Sequence, residues 1–141
     1  PGIVGFGKAC ELCQDMAEEA ARVSRLRDKL EQRLLAALPV RRNGDVSARL
    51  AGNSSITFTG LDAQALLAHV PELALSTGSA CTSGALEPSH VLQGIGMARG
   101  DAASTIRIGL GRFTTEAEVD RAADPEQVAA PSRVYPAWRD G

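Results

Sequence analysis

The sequence of 141 residues lacks several features that would place it in a familiar class of protein. No apolar run approaches the roughly 18 residues that a membrane-spanning helix needs. A formal net charge of −2 argues against a nucleic-acid partner, which would call for a basic face. Its three cysteines form an odd set without framework spacing, which indicates a reducing, cytoplasmic compartment. We therefore expect about one domain, with neither a membrane nor a nucleic acid as partner.

A long amphipathic helix is predicted over residues 11–38, because apolar residues recur there at three- and four-residue steps between charged ones. Glu18 and Arg22 are spaced for a helical ion pair, and Pro39 ends the pattern. The apolar series consists of Leu12, Met16, Ala20, Val23, Leu26, Leu30 and Leu34.

After Pro39 the sequence alternates between short strands and short helices. Asp62 is the predicted N-cap of one helix, and Thr115 with Glu118 matches a capping box for another. Strands are predicted over 55–59, 73–76 and 105–110, helices over 62–70, 88–95 and from 115 to Pro125, and a turn over 41–45. This order predicts an α+β domain with a small, mainly antiparallel sheet.

A polar, glycine-flanked segment, Ser76-Thr-Gly-Ser-Ala-Cys81-Thr-Ser-Gly84, carries one cysteine. Gly78 and Gly84 free the backbone, while serine and threonine side chains compete with regular structure. A structural free cysteine is usually packed as a small hydrophobe, whereas a thiol on such a loop is accessible. The residues alone leave a reactive thiol and an incidental loop cysteine both open, because reactivity depends on the thiolate.

Three segments resemble the cysteine desulfurases, in particular the subgroup used in iron–sulfur cluster assembly and nitrogen fixation. They are PGIVGFGKA at 1–9, ALSTGSACTSGALEPSHVL at 74–92 and STIRIGLGRFTTE at 104–116. The likeness runs from Pro1 to about Ala123. It implies the small C-terminal domain of the pyridoxal-phosphate aminotransferase-like fold. Residues 1–38 would then be a connecting segment and long helix, 39–123 the small domain with its cysteine loop at 76–84, and 124–141 a divergent tail.

The resemblance implies pyridoxal phosphate, held as a Schiff base on a lysine. Lys8 and Lys29 are the only lysines in the sequence, and neither follows the Ser-x-His that accompanies the cofactor lysine in relatives. The sequence also starts at Pro1 without a methionine, inside a family segment. We therefore expect the C-terminal part of a desulfurase, either a fragment or one half of a split enzyme, that contains no cofactor-binding residue and is inactive alone.

Arg107 is the second candidate site residue, in the middle of a predicted strand. A cation there is suited to bidentate recognition of a carboxylate, and the alternative is a solvated arginine on an exposed sheet face. The resemblance favours the first, because the arginine of the family's Ser-x-Ile-Arg segment anchors the substrate carboxylate. Arg112 is expected to cap or brace the following turn. Alternation along the strand predicts one face of Thr105, Arg107 and Gly109, and an opposite face of Ile106, Ile108 and Leu110.

The activity implied by the resemblance is sulfur abstraction from L-cysteine. The Cys81 thiolate would attack the substrate sulfur, leaving alanine and a persulfide on Cys81, while Arg107 held the substrate carboxylate. Expected partners are a sulfur acceptor, such as an iron–sulfur scaffold or a tRNA-thiolating enzyme, and a second copy in a homodimer. Cys81 could also serve as a transient iron–sulfur ligand. The alternative is a stand-alone sulfur-relay module that accepts a persulfide on Cys81 without cofactor chemistry.

Other residues carry weaker signals. Cys10 and Cys13 form a C-x-x-C, but a structural zinc site would usually need two further ligands at matching spacing, and none is visible. No metal site is therefore expected. His69 and His90 are expected to be packing or surface residues.

Overall fold

The computed structural model describes residues 1–14, 16–77 and 88–128. Within these ranges four strands form one antiparallel sheet in the spatial order β1-β2-β4-β3. The strands are β1 Val40–Arg42, β2 Asn53–Phe58, β3 Leu75–Ser76 and β4 Thr105–Gly109. The helices are α1 Gly2–Leu12, α2 Ala17–Ala37, α3 Ala63–His69, α4 His90–Gly94, α5 Arg99–Ala103, α6 Glu116–Ala122 and α7 Pro125–Val128.

The helix predicted over residues 11–38 is wrong at its beginning. The chain forms two helices, because α1 ends at Leu12 and α2 begins at Ala17. Glu18 and Glu19 lie in the first turn of α2, where carboxylates stabilise a helix N-terminus. Leu12 and Met16 belonged to the predicted apolar series but are 49% and 43% exposed. The end was predicted correctly, since Leu38 is the C-cap before Pro39.

One face of the sheet and one side of α2 form the hydrophobic core. Val23, Leu26, Leu30 and Leu34 of α2 are all buried, as their spacing predicted. Leu26, Leu30 and Leu34 lie on the core side of the sheet with residues from α3, α6 and α7. The core cluster contains Leu26, Leu30, Leu34, Ile56, Phe58, Leu61, Ala63, Leu66, Val70, Ile106, Ile108, Val119, Ala123 and Val128. None of the helices in the described ranges is long and apolar enough to span a membrane.

The predicted α+β class with a small antiparallel sheet is confirmed. Asp62 caps α3 by accepting a hydrogen bond from the Ala65 amide at 3.0 Å, and the capping box of Thr115 and Glu118 is present at the start of α6. All three predicted strands form, with slightly different bounds. The last helix ends as predicted before Pro125, which then begins α7.

Four elements were missed by the sequence patterns: β1, α5, most of α1 and the short α7 that Pro125 begins. The turn predicted over 41–45 is wrong in part, because Arg41 and Arg42 belong to the edge strand β1. Both arginines are paired with carboxylates, Arg41 with Asp101 at 2.8 Å and Arg42 with Glu31 at 3.2 Å. Charged residues are common on edge strands because they discourage further strand addition. Helices α5 and α7 were missed because they have only five and four residues.

A buried carboxylate joins α2 to the sheet and to the loop between β1 and β2. Glu31 is 1% exposed and accepts hydrogen bonds from Ser54 Oγ at 2.7 Å and from the guanidinium groups of Arg42 and Arg49. Burial alone would raise the pKa of Glu31, but the hydrogen bonds from Arg49, Ser54 and Arg42 outweigh it and lower the pKa. The carboxylate therefore stays ionised at neutral pH.

The same loop is held against α2 and β4 at two further points. Arg27 of α2 is buried and donates to the carbonyls of Leu50 at 2.8 Å and Ala51 at 3.1 Å. The Leu110 amide donates to the Gly52 carbonyl at 2.8 Å. A Cβ atom at residue 52 would lie 2.1 Å from the Leu110 carbonyl oxygen, so this close approach requires glycine.

We predict that Glu31→Gln destabilises the chain by about 3 kcal/mol, because two arginines lose their buried counter-charge. The matched control is Glu11→Gln, since Glu11 forms an exposed pair with Lys8 and should change stability by less than about 1 kcal/mol. Urea unfolding followed by circular dichroism measures both variants.

The pH dependence of stability follows from the lowered pKa of Glu31. Because the pKa of Glu31 is lower in the folded state than its ordinary value of 4.5, the ionised carboxylate stabilises the fold at pH values above 4.5. This stabilisation is lost as the pH falls from 4.5 through the folded-state pKa. Wild type should therefore lose more stability in this range than Glu31→Gln. Equal losses in the two proteins would show that Glu31 is not the group responsible.

Candidate functional site

Arg107 lies in the centre of the sheet, on the face opposite the core. Its neighbours Ile106 and Ile108 are 0% and 9% exposed, whereas Arg107 itself is exposed. The predicted alternation of faces in β4 is therefore confirmed for these residues. The guanidinium of Arg107 makes no hydrogen bond or ion pair with any other side chain or backbone group in the described ranges. It is a cation available to a ligand.

Two serines flank Arg107 on the same face of the sheet. Ser55 of β2 and Ser76 of β3 are its direct antiparallel partners. Directly opposed residues have Cβ atoms about 5 Å apart and point to the same side. Both serines are half-buried. The exposed cation is thus bordered by hydroxyl groups on either side.

A chain of hydrogen bonds continues across this polar face from β1 to α5. Asn43 Nδ2 donates to Thr57 Oγ1 at 2.9 Å and to Ser55 Oγ at 3.3 Å. Thr57 Oγ1 lies 2.8 Å from Thr105 Oγ1, which donates to the Asp101 carbonyl at 2.7 Å. Thr105 is buried under α5, so the polar face is covered at that end and open around Arg107.

A recess of about 240 Å³ opens beside Ser55 on this face. Its polar lining includes Asn43, Asn53 and Ser55, and its apolar lining includes Leu50, Leu92 and Ile95. Concave sites with a few placed polar groups on an apolar wall are typical of small-ligand binding. The recess and Arg107 together form the candidate site, which we call the carboxylate site.

Cys81 lies outside the described residues. The structure does fix where the chain enters the segment that carries it, because β3 ends at Ser76, directly opposite Arg107. The last described residues before the cysteine segment thus lie beside Arg107. The role of Cys81 stays a prediction.

Arg112 braces the turn after β4, as predicted. Its Nε donates to Glu19 Oε2 of α2 at 2.7 Å. Arg22 of α2 holds the same turn by donating to the carbonyls of Arg112 at 2.6 Å and Thr114 at 2.9 Å. The predicted pair between Arg22 and Glu18 is therefore replaced by contacts to the turn.

The remaining candidates lie on the surface. Cys10 and Cys13 are free, exposed cysteines at the end of α1. His69 ends α3 and His90 begins α4, and both are exposed. Across residues 1–14, 16–77 and 88–128, no three histidine, cysteine, aspartate or glutamate side chains are grouped so that they could hold a metal ion.

Neither lysine is suited to hold pyridoxal phosphate. Lys8 pairs with Glu11 on the exposed side of α1 at 3.0 Å. Lys29 lies on α2 and pairs with Asp120 at 3.0 Å and Glu116 at 3.5 Å. The hydrogen bond to Asp120, outweighing the effect of burial, raises the pKa of Lys29 above its ordinary value. A Schiff base forms from a neutral amine, so the lysines of this chain do not fit the attachment of that cofactor.

The class-V aminotransferase family matches residues 1–122. The chain therefore belongs to the class-V aminotransferases. Within that family it is 49% identical over 122 residues to the cysteine desulfurase IscS of Anaeromyxobacter sp. strain Fw109-5, covering 85% of this chain and 30% of that protein. It is 42% identical over 139 residues to a probable mitochondrial cysteine desulfurase of Schizosaccharomyces pombe, covering 96% of this chain and 28% of that protein. The resemblance to cysteine desulfurases is confirmed.

Solved structures agree with this family and with the fold. A NifS-like protein from Rickettsia africae ESF-5 superposes with a TM-score of 0.73 at 28% identity, over 95% of this chain and 34% of that one. A second NifS-like protein gives a TM-score of 0.75 at 27% identity, over 90% and 32% of the two chains. The chain spans about three tenths of the length of the curated relatives.

We predict that the 141-residue chain mixed with pyridoxal phosphate shows no stoichiometric Schiff-base absorbance, because its lysine amines are ion-paired. Absorbance spectra and mass spectrometry after borohydride reduction test this. A stoichiometric adduct that Lys8→Arg or Lys29→Arg removes would contradict it.

Proposed function

We propose that this chain is the sulfur-accepting C-terminal part of a cysteine desulfurase. In this proposal Arg107 binds the carboxylate of L-cysteine, and Cys81 receives its sulfur and passes it to an acceptor protein. The observation that carries the proposal is the unpaired Arg107 guanidinium directly opposite Ser76, where the chain enters the cysteine segment. The relatives named as cysteine desulfurases support it.

The chemistry of Arg107 suits a carboxylate. A guanidinium offers parallel N–H donors in a planar fork that matches the two carboxylate oxygens. Because Arg107 has no partner among the described residues, a substrate would not need to displace one. The exposed arginines Arg41 and Arg112, in contrast, are already paired with Asp101 and Glu19.

Sulfur transfer to Cys81 exchanges one bond of the substrate sulfur for another. The Cys81 thiolate forms a bond to the substrate sulfur, and the bond between that sulfur and the substrate Cβ breaks. The electron pair of the broken bond stays on Cβ, which takes up a proton, so that alanine leaves. The transferred sulfur remains on Cys81 as a persulfide that an acceptor thiolate can attack.

The chain between Ser76 and Cys81 is short enough for Cys81 to act beside Arg107. Cys81 follows Ser76 by five residues (81 − 76), which span at most about 18 Å. Cys81 is thus within reach of the face that carries Arg107.

The assembled enzyme would need a cofactor and partners that lie outside this chain. Pyridoxal phosphate would be bound by protein that this chain does not contain, so the chain alone would not turn over cysteine. The acceptors would be iron–sulfur scaffolds or other sulfur-biosynthesis proteins. We further propose a cytoplasmic location and, for the assembled enzyme, a homodimer.

A chimera tests the proposal. In this chimera the chain replaces the matching segment of the Anaeromyxobacter desulfurase, to which it is 49% identical. Arg107→Ala in the chimera should lower kcat/KM for L-cysteine by roughly 30- to 1,000-fold, because a charge-assisted bidentate contact is lost. Arg107→Lys should rescue only part of this loss, since an ammonium lacks the planar fork.

The matched control is Arg25→Ala. Arg25 is also exposed and without a partner in the described ranges, but it lies on α2, on the other side of the sheet. It should leave kcat/KM unchanged, and both variants should keep the cofactor spectrum. Near-normal kcat/KM in Arg107→Ala would mean that this arginine is only a solvated strand residue.

Cys81→Ser in the chimera should still bind cofactor and substrate but form no protein-bound persulfide. Labelling with radioactive sulfur from L-cysteine measures the persulfide. Cys10→Ser and Cys13→Ser are the controls, and both should label normally because these exposed thiols lie on α1. Persistent labelling in Cys81→Ser would assign the sulfur carrier to another residue.

A further inference from the structure

The half-buried hydroxyl of Ser55 has an unused hydrogen-bond donor. Its Oγ accepts a hydrogen bond from Asn43 Nδ2 at 3.3 Å. No acceptor for the Ser55 hydroxyl hydrogen lies within hydrogen-bonding distance among the described residues. A hydroxyl carries one donor and two acceptor sites, so the Ser55 O–H remains free to donate to a ligand.

The hydrogen bonds of Asn43 account for this state, because its Oδ1 accepts from Thr57 Oγ1 at 3.2 Å and its Nδ2 faces Ser55. The Asn43 amide nitrogen also donates to Thr57 Oγ1 at 2.9 Å, and the Asn43 backbone amide donates to the Ser55 carbonyl at 2.9 Å. The side chain thus presents a donor to Ser55. Ser55 lines the recess, so its hydroxyl hydrogen can be donated to a ligand there.

Ser55 and Arg107 are placed to act on the same anion. They are direct partners across β2 and β4 and point to the same face. The flexible Arg107 side chain is long enough to lean across the neighbouring strand towards the recess. The two charged residues that line the recess are already engaged: Asp45 accepts from Ser47 and Ala48, and Arg49 binds Glu31. Ser55 and the Asn53 side-chain amide are therefore the donors of the recess lining without a partner in the described ranges, and Ser55 is the one directly opposite Arg107.

We propose that Ser55 is a substrate-binding residue that donates a hydrogen bond to the carboxylate held by Arg107. The recess beside it would receive the carboxylate end of an amino acid. This inference rests on the proposed function and adds to it a second carboxylate donor that the sequence patterns did not indicate. The pair would favour a carboxylate over a spherical anion, because the two donors approach from different strands.

The test uses the 141-residue chain and sodium acetate as the carboxylate probe, titrated against sodium chloride at constant ionic strength. The Arg107 Nε and residue 55 amide NMR signals report binding. Ser55→Thr and Ser55→Val are a matched pair, because both are β-branched, suit a strand and differ only in the hydroxyl. Ser24→Ala, on α2 at the core side of the sheet, is the control.

Ser55→Val should weaken acetate binding by about three- to tenfold, the usual effect of losing one hydrogen bond. Ser55→Thr should stay within about twofold of wild type, and Ser24→Ala should not change. Equal acetate affinity in the valine and threonine variants would overturn the inference, as would a failure of wild type to prefer acetate to chloride.

The chimera separates this inference from the proposed function. Ser55→Val should raise KM for L-cysteine more than it lowers kcat, while the cofactor spectrum stays unchanged. If Arg107→Ala cripples the chimera and Ser55→Val does not, only the role of Ser55 is wrong. If neither variant affects kcat/KM, the proposed carboxylate site itself is wrong.

Discussion

The position of β4 between β2 and β3 is the constraint on which the rest of the structure depends. Ile106 and Ile108 are buried against the helices, and because side chains alternate, Arg107 must face the other way. A one-residue slip would bury the guanidinium and expose both isoleucines. Burying an unpaired charge costs free energy. The packing of Ile106 and Ile108 in the core therefore also keeps the Arg107 side chain on the exposed face of the sheet.

Helix α2 extends this constraint to the loops around the carboxylate site. Glu31 and Arg27 hold the loop between β1 and β2, which borders the recess, and Arg22 holds the turn after β4. All three side chains bind backbone carbonyls or buried partners through charge-assisted hydrogen bonds. Core residues of the same helix pack on the sheet. Helix α2 thus holds the loops around the polar face from the core side of the sheet.

The features that depend on residues close together in the sequence were predicted correctly. Alternation in β4 gave the faces of Arg107, and the caps at Asp62 and Thr115 gave two helix starts. The break before α2 was missed because apolar spacing continues across it, and β1 was missed because its arginines are neutralised by partners far along the chain. Ser55 was missed for the same reason, since its place beside Arg107 depends on strand pairing. The prediction for Cys81 came from family resemblance.

The stoichiometry of a single turnover tests the central claim most directly. The chimera, given L-cysteine and no acceptor, should release one alanine for each sulfur that appears on this chain, and peptide mass spectrometry should find that sulfur on Cys81. This result would tie carbon–sulfur cleavage to a persulfide carried by the segment that leaves the sheet beside Arg107. Alanine released without protein-bound sulfur, or sulfur found on Cys10 or Cys13, would contradict the account.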